Sequence, residues 1–172
     1  MGYSVVFSGT LLIVVFLVSG VGKWFGYATF VASIRELRVL PVSAVPRAAA
    51  LVIAAELGIA STLAAGMMVE PALRAYAFVL AALMLAGFTA VIVITLRRGG
   101  SGGCACFGRR SSEFSGRHLV RNAVLLVAAL AGVVGAREDL GAWTAGTAVA
   151  ITAGLVLSLL VVVMDDVVDL FA

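Results

Sequence analysis

Five stretches of this chain are apolar for long enough to cross a bilayer, and that feature leaves few folds open. A helix of about 20 apolar residues crosses ~30 Å of hydrocarbon. The spans read as residues 3–22, 48–69, 75–96, 119–136 and 142–164. Only Glu56 in the second and Arg121 in the fourth interrupt them with charge. Lipid offers no hydrogen-bond partner to an open backbone, so all five should be helices. Composition agrees: 63% of the 172 residues are hydrophobic and 12% charged. A soluble domain of this size could not hide so much apolar surface. Disorder is excluded for the same reason. The first stretch lacks a basic leader and a small-residue cleavage site, so it reads as a span rather than a signal peptide. The expected fold is all-α: a polytopic membrane helix bundle forming one integral membrane domain over residues 1–172. It has four to five transmembrane helices and one interfacial amphipathic helix.

That interfacial helix lies in the connection from Lys23 to Arg47. Tyr27, Phe30, Val31, Ile34 and Leu37 recur there at helical spacing, with Arg35, Glu36 and Arg38 mostly opposite. Pro41 and Pro46 bracket the turn into the second span. Short hairpins are expected at Glu70–Arg74 and Arg137–Asp139, with Pro71 in the first turn of the third helix, where its missing N–H is tolerated. The fourth span is the shortest, and Arg121 near its start is expected to snorkel to the headgroups. Gly22 and Gly26 form a GxxxG, read as close packing at a helix end or as a dimer contact. Gly20-Val21-Gly22-Lys23 lacks the further residues of a phosphate-binding loop.

Orientation follows from the basic residues. Ten of the 12, including Lys23, Arg97, Arg109, Arg110 and Arg121, fall in or beside the first and third connections. Only Arg74 and Arg137 fall on the other side. The amino terminus is therefore expected outside. The 97–118 loop and the acidic tail (Asp165, Asp166, Asp169) are expected in the cytoplasm. The net charge of +3 is a topological signal here, not a nucleic-acid signature.

The 97–118 loop differs most in composition from the rest of the chain. It holds Gly99, Gly100, Gly102 and Gly103, then Cys104-Ala105-Cys106-Phe107-Gly108-Arg109-Arg110. Two cysteines one residue apart form a local device, not a brace between elements. A disulfide closed in so tight a ring is strained and therefore oxidising. Glycines permit the turns, and Arg109 and Arg110 favour the thiolate. The pattern suits an exchangeable dithiol. The same thiolates suit a soft metal such as copper or mercury, with His118 as a third candidate ligand. Zinc normally takes four ligands. Two inert small hydrophobes are the remaining reading. Met67, Met68 and Met84 sit in helices, where packing is the simpler role.

Glu56 is the second candidate. An ionisable side chain inside an apolar span marks function by default. Lys23 and Arg47 are its candidate partners. Its role is either a proton relay or an interhelical hydrogen bond that orders the bundle. Asn122 reads as an interhelical hydrogen-bond donor. Lys23-Trp24, directly after the first span, also reads as an interface anchor, as do Arg97 and Arg98.

Cys104-Ala105-Cys106-Phe107-Gly108, followed by Arg121-Asn122 opening a helix, resembles the C-x-C-F-G … R-N pattern of the MauE (methylamine utilisation protein) family. Gly20 with Lys23, and Glu56-Leu57-Gly58, resemble the wider DoxX-like set. The likeness runs through the fourth span. It implies a small membrane bundle tied to thiol–disulfide chemistry, helping to form disulfides in an exported dehydrogenase subunit beside a thioredoxin-like partner. An export role favours an outward dithiol, whereas the charge count favours an inward one. The functional expectation is a membrane disulfide oxidoreductase. Cys104 and Cys106 exchange electrons with a thioredoxin-like protein, an exported substrate protein or a quinone. Lys23, Glu56, Arg109, Arg110 and Asn122 support them. The alternatives are a soft-metal binder or transporter using Cys104, Cys106 and His118, and a non-catalytic assembly subunit.

Overall fold

The computed structural model describes residues 2–37, 39–97, 116–138, 140 and 144–171. Among them are six helices and no strand: α1 (Gly2–Phe25), α2 (Tyr27–Glu36), α3 (Val45–Met68), α4 (Pro71–Arg97), α5 (Gly116–Gly135) and α6 (Ala145–Phe171). Five of these, all but α2, are long and apolar enough to span a membrane.

Helix α1 is the centre of the bundle, packing on α3, α5 and α6. Helix α4 packs on both α3 and α5, which closes a four-helix ring of α1, α3, α4 and α5. One apolar core runs through it, from Val5, Leu12 and Phe16 of α1 to Leu63 of α3, Phe78 of α4 and Ala129 of α5. Helix α6 lies outside the ring against α1. Small residues set that contact: a Cβ on Gly154 would stand 2.9 Å from the Phe7 carbonyl oxygen. Close approach through small residues is how helices associate where lipid removes the hydrophobic drive. Gly132 does the same between α5 and α4, since its Cβ would lie 2.2 Å from the Phe78 ring.

Helix α2 is amphipathic, as its spacing predicts. Phe30 is buried, Val31, Ile34 and Leu37 are half-buried, and Arg35 and Glu36 are exposed. It packs on the start of α3 through Phe30, Ala49 and Ile53. Its first residue is tied there as well: the Tyr27 hydroxyl donates to the Pro46 carbonyl at 2.9 Å. Gly22 and Gly26 flank the α1–α2 junction, where the Gly26 N–H donates to the Gly22 carbonyl at 2.9 Å.

Three boundaries differ from those expected. Helix α4 starts at Pro71, so Arg74 belongs to its first turn rather than to a hairpin. Arg74 is buried, and its guanidinium donates to the carbonyls of Ala136 (Nε, 2.8 Å) and Glu138 (Nη2, 2.7 Å). A cation thereby satisfies carbonyls just beyond the end of α5. The α5–α6 connection is longer than three residues, because α6 starts only at Ala145. Thr144 and Thr147 cap that start reciprocally: each backbone N–H donates to the other's hydroxyl at 3.4 Å. Finally, α5 begins at Gly116, which brings His118 into the helix, where it is buried.

Candidate functional site

The polar heart of the molecule is built on one face of α1. Ser19 and Lys23 are four residues apart and so lie on the same stripe. Helical side chains lean toward the amino terminus, which carries the Lys23 stem back over Ser19 and into the bundle. Its ammonium donates to Ser19 Oγ at 2.6 Å and pairs with Glu56 Oε1 of α3. Ser19 donates to the same carboxylate oxygen at 3.1 Å. The close α1–α3 approach depends on Gly20, whose Cβ would lie 2.8 Å from Leu57 Cδ2.

Lys23 is 2% exposed and Glu56 1%, so neither reaches bulk water. The Lys23 ammonium also sits 5.4 Å from the Phe30 ring centroid and 5.2 Å from that of Phe88. Both separations fall within cation–π range. Among the described residues, Glu56 Oε2 is buried with no hydrogen-bond partner.

This cluster forms the floor of a cavity of about 190 Å³ at the end of the bundle covered by α2. Its walls come from α1, α2, the α2–α3 linker, α3, α4 and α5, and they are almost entirely apolar. Ser33 of α2 and Arg121 and Asn122 of α5 complete the polar lining.

Several of the residues singled out by their chemistry therefore meet at one place. Lys23, Glu56 and Asn122 share the cavity, and Lys23 is the partner of Glu56. Arg47 is exposed and is not that partner. Lys23 is not an interface anchor, because its side chain turns inward, whereas its neighbour Trp24 is 66% exposed. Arg121 likewise turns into the bundle, where it is buried, instead of snorkelling outward. Met67 and Met84 pack against the core, and Met68 is exposed. Cys104, Cys106, Arg109 and Arg110 lie outside the described residues. So does any metal set that needs the two cysteines together with His118.

Spacing and composition do not single out Ser19, Phe30 or Phe88 as members of the site. Ser19 carries a signal, because it stands one turn before Lys23 on an otherwise apolar helix. The phenylalanines carry none, since their role depends on where α2 and α4 meet α1.

No curated protein and no solved structure matches the chain. The model of one family, described as methylamine utilisation protein MauE, matches residues 1–135. The matched region ends on the last residue of α5. It takes in the four-helix ring, α2, the cavity residues and the cysteine loop, and it leaves α6 outside. With 135 of 172 residues matched, this multi-pass membrane protein belongs to the methylamine utilisation protein MauE family.

Proposed function

We propose that the protein is a membrane thiol–disulfide redox protein that supports disulfide formation or maturation of another protein. Cys104 and Cys106 are the exchanging pair. A partner thiolate attacks one sulfur of the disulfide and forms a mixed disulfide. A second thiolate of the partner attacks the partner's bonded sulfur and releases Cys104 and Cys106 as thiols, so that two electrons pass from the partner to the pair. Arg109 and Arg110 stabilise the cysteine thiolate released in the attack. A thioredoxin-like protein or a quinone is the electron partner. Lys23 and Glu56, which with Gly20 also carry the wider DoxX-like likeness, form the buried polar support.

The observation that supports this reading is the place where the cysteine loop is anchored. It leaves α4 at Arg97 and enters α5 at Gly116. The same two helices wall the cavity through Phe88, Val91, Ile92, Arg121 and Asn122. Cys104 is seven residues beyond Arg97 and thus at most about 25 Å of extended chain from the end of a helix that walls the cavity. A buried pair adds little net stability over an apolar replacement, so its presence here supports a functional role. By the basic-residue bias, this end of the bundle faces the cytoplasm.

Acid-quenched cells expressing the wild type, Cys104→Ser or Cys106→Ser test the reading. One single variant should accumulate a mixed disulfide with its partner, resolved by reductant, while the double variant should lose exchange. Unchanged exchange in the double variant overturns the proposal. Loss of exchange with retained complex assembly separates the catalytic dithiol from a docking subunit.

A further inference from the structure

The cavity under α2 has three properties that together define its occupant. The first is size. An apolar protein cavity of about 150 Å³ admits a benzene ring, and this one measures about 190 Å³. It has room for one substituted ring. The second is chemistry at the floor. Glu56 Oε2 is fully buried and, among the described residues, unpartnered. A carboxylate oxygen only accepts, so the matching group is an O–H or N–H on an otherwise apolar body. An acyl chain would leave that oxygen unsatisfied. The third is the wall. Phe30 and Phe88 flank the Lys23 ammonium, and both line the cavity.

We infer that this cavity binds the ring of a membrane-soluble quinone, and that its reduced form donates a hydroxyl to Glu56 Oε2. The floor serves both redox states. Two N–H groups of Lys23 serve Ser19 and Glu56; the third is the donor for a quinone carbonyl. Glu56 Oε2 is the acceptor for the quinol hydroxyl. A buried cation–carboxylate pair is suited to this because it offers a strong donor and a strong acceptor at one depth without net charge. The electron step rests on the thiol-redox reading above. The thiols of Cys104 and Cys106 lose two electrons and two protons and join as a disulfide, and the quinone takes both pairs to become the quinol. The binding itself needs no cysteine.

Titration calorimetry on the full chain in phosphatidylcholine–phosphatidylglycerol nanodiscs tests the inference, with decylubiquinone and its quinol as probes and empty discs subtracted. The wild type and the Cys104→Ser/Cys106→Ser variant should both bind saturably, one per chain. Ala48→Trp fills the cavity from α3 without touching the ion pair and should abolish binding of both forms. Glu56→Gln can put a donor where the unpartnered Oε2 acceptor stands. It should weaken the quinol at least tenfold and spare the quinone, a split that a merely structural role would not produce. Thermal unfolding of each variant confirms folding. Wild-type heats equal to those of empty discs, or binding unchanged by Ala48→Trp, overturn the inference. Saturable binding without thiol exchange would leave the cavity assignment standing and defeat the redox reading. Thiol exchange without saturable binding would do the reverse.

Discussion

Replacing Lys23 with Met should destabilise the protein far more than replacing Lys23 and Glu56 together. Both side chains are at most 3% exposed, so neither charge can recover hydration when its partner is removed. In Lys23→Met, Glu56 keeps only the Ser19 hydrogen bond. Breaking a buried pair by removing one partner costs about 3–5 kcal/mol. Replacing both by apolar groups of similar volume is about neutral, or stabilising by about 1–4 kcal/mol. The Lys23→Met/Glu56→Met variant should therefore recover most of the single variant's loss. Reversible unfolding in detergent, read by circular dichroism across the four members of the cycle, measures the coupling. A Lys23→Met loss under about 1 kcal/mol would refute the burial argument. So would a double variant as unstable as the sum of the two singles, because the two groups would then act independently. If the double variant folds but no longer exchanges thiols, the pair's role is functional rather than structural.

The packing sets four further outcomes. Arg74→Ala should cost about 3–6 kcal/mol, because two carbonyls lose charge-assisted hydrogen bonds of about 1.5–3 kcal/mol each; a loss below about 1 kcal/mol in detergent unfolding would show that this lock carries no weight. Gly132→Ala should destabilise by about 1–3 kcal/mol through overpacking on Phe78. Gly58→Ala, with nothing within 4 Å of its added methyl, should be neutral or stabilising by up to about 1 kcal/mol, and equal effects at the two sites would contradict the helix contacts. Ser19→Ala should weaken folding by about 3 kcal/mol or more, because the hydroxyl makes two buried hydrogen bonds to charged groups of about 1.5–3 kcal/mol each, and unfolding midpoints of Ser19→Ala and Ser19→Thr should differ because only threonine keeps the bridging hydroxyl.

The spans are legible in the sequence because lipid imposes a length and excludes charge, and that signal survives without any knowledge of packing. Helix α2 is legible for a related reason: Phe30, Ile34 and Leu37 recur against Arg35 and Glu36. What the sequence does not encode locally is which way a side chain turns at a helix end. Lys23 and Arg121 both stand where a cation ordinarily reaches for headgroups, yet both turn inward. Lys23 does so because Glu56 waits on α3 and α2 covers the end of the bundle, which is tertiary information. Arg74 escapes local reading for a simpler reason: Pro71 opens the helix three residues earlier, and the guanidinium's targets lie more than 60 residues away. The cysteine block is the opposite case, legible entirely from local spacing and lying outside the described residues.

Whether Cys104 and Cys106 form a working dithiol is decided by their redox state in intact cells. Cells are treated with a membrane-impermeant maleimide before and after reduction, then lysed and treated again, and the mass shift on the full chain is read. Two maleimides should be added only after reduction, with the pair reached from the inner side. Labelling from outside after reduction would keep the disulfide but reverse the orientation. Two thiols that label fully without reductant under every condition, in cells where the partner protein still acquires its disulfides, would contradict the assignment of this pair as the exchanging dithiol.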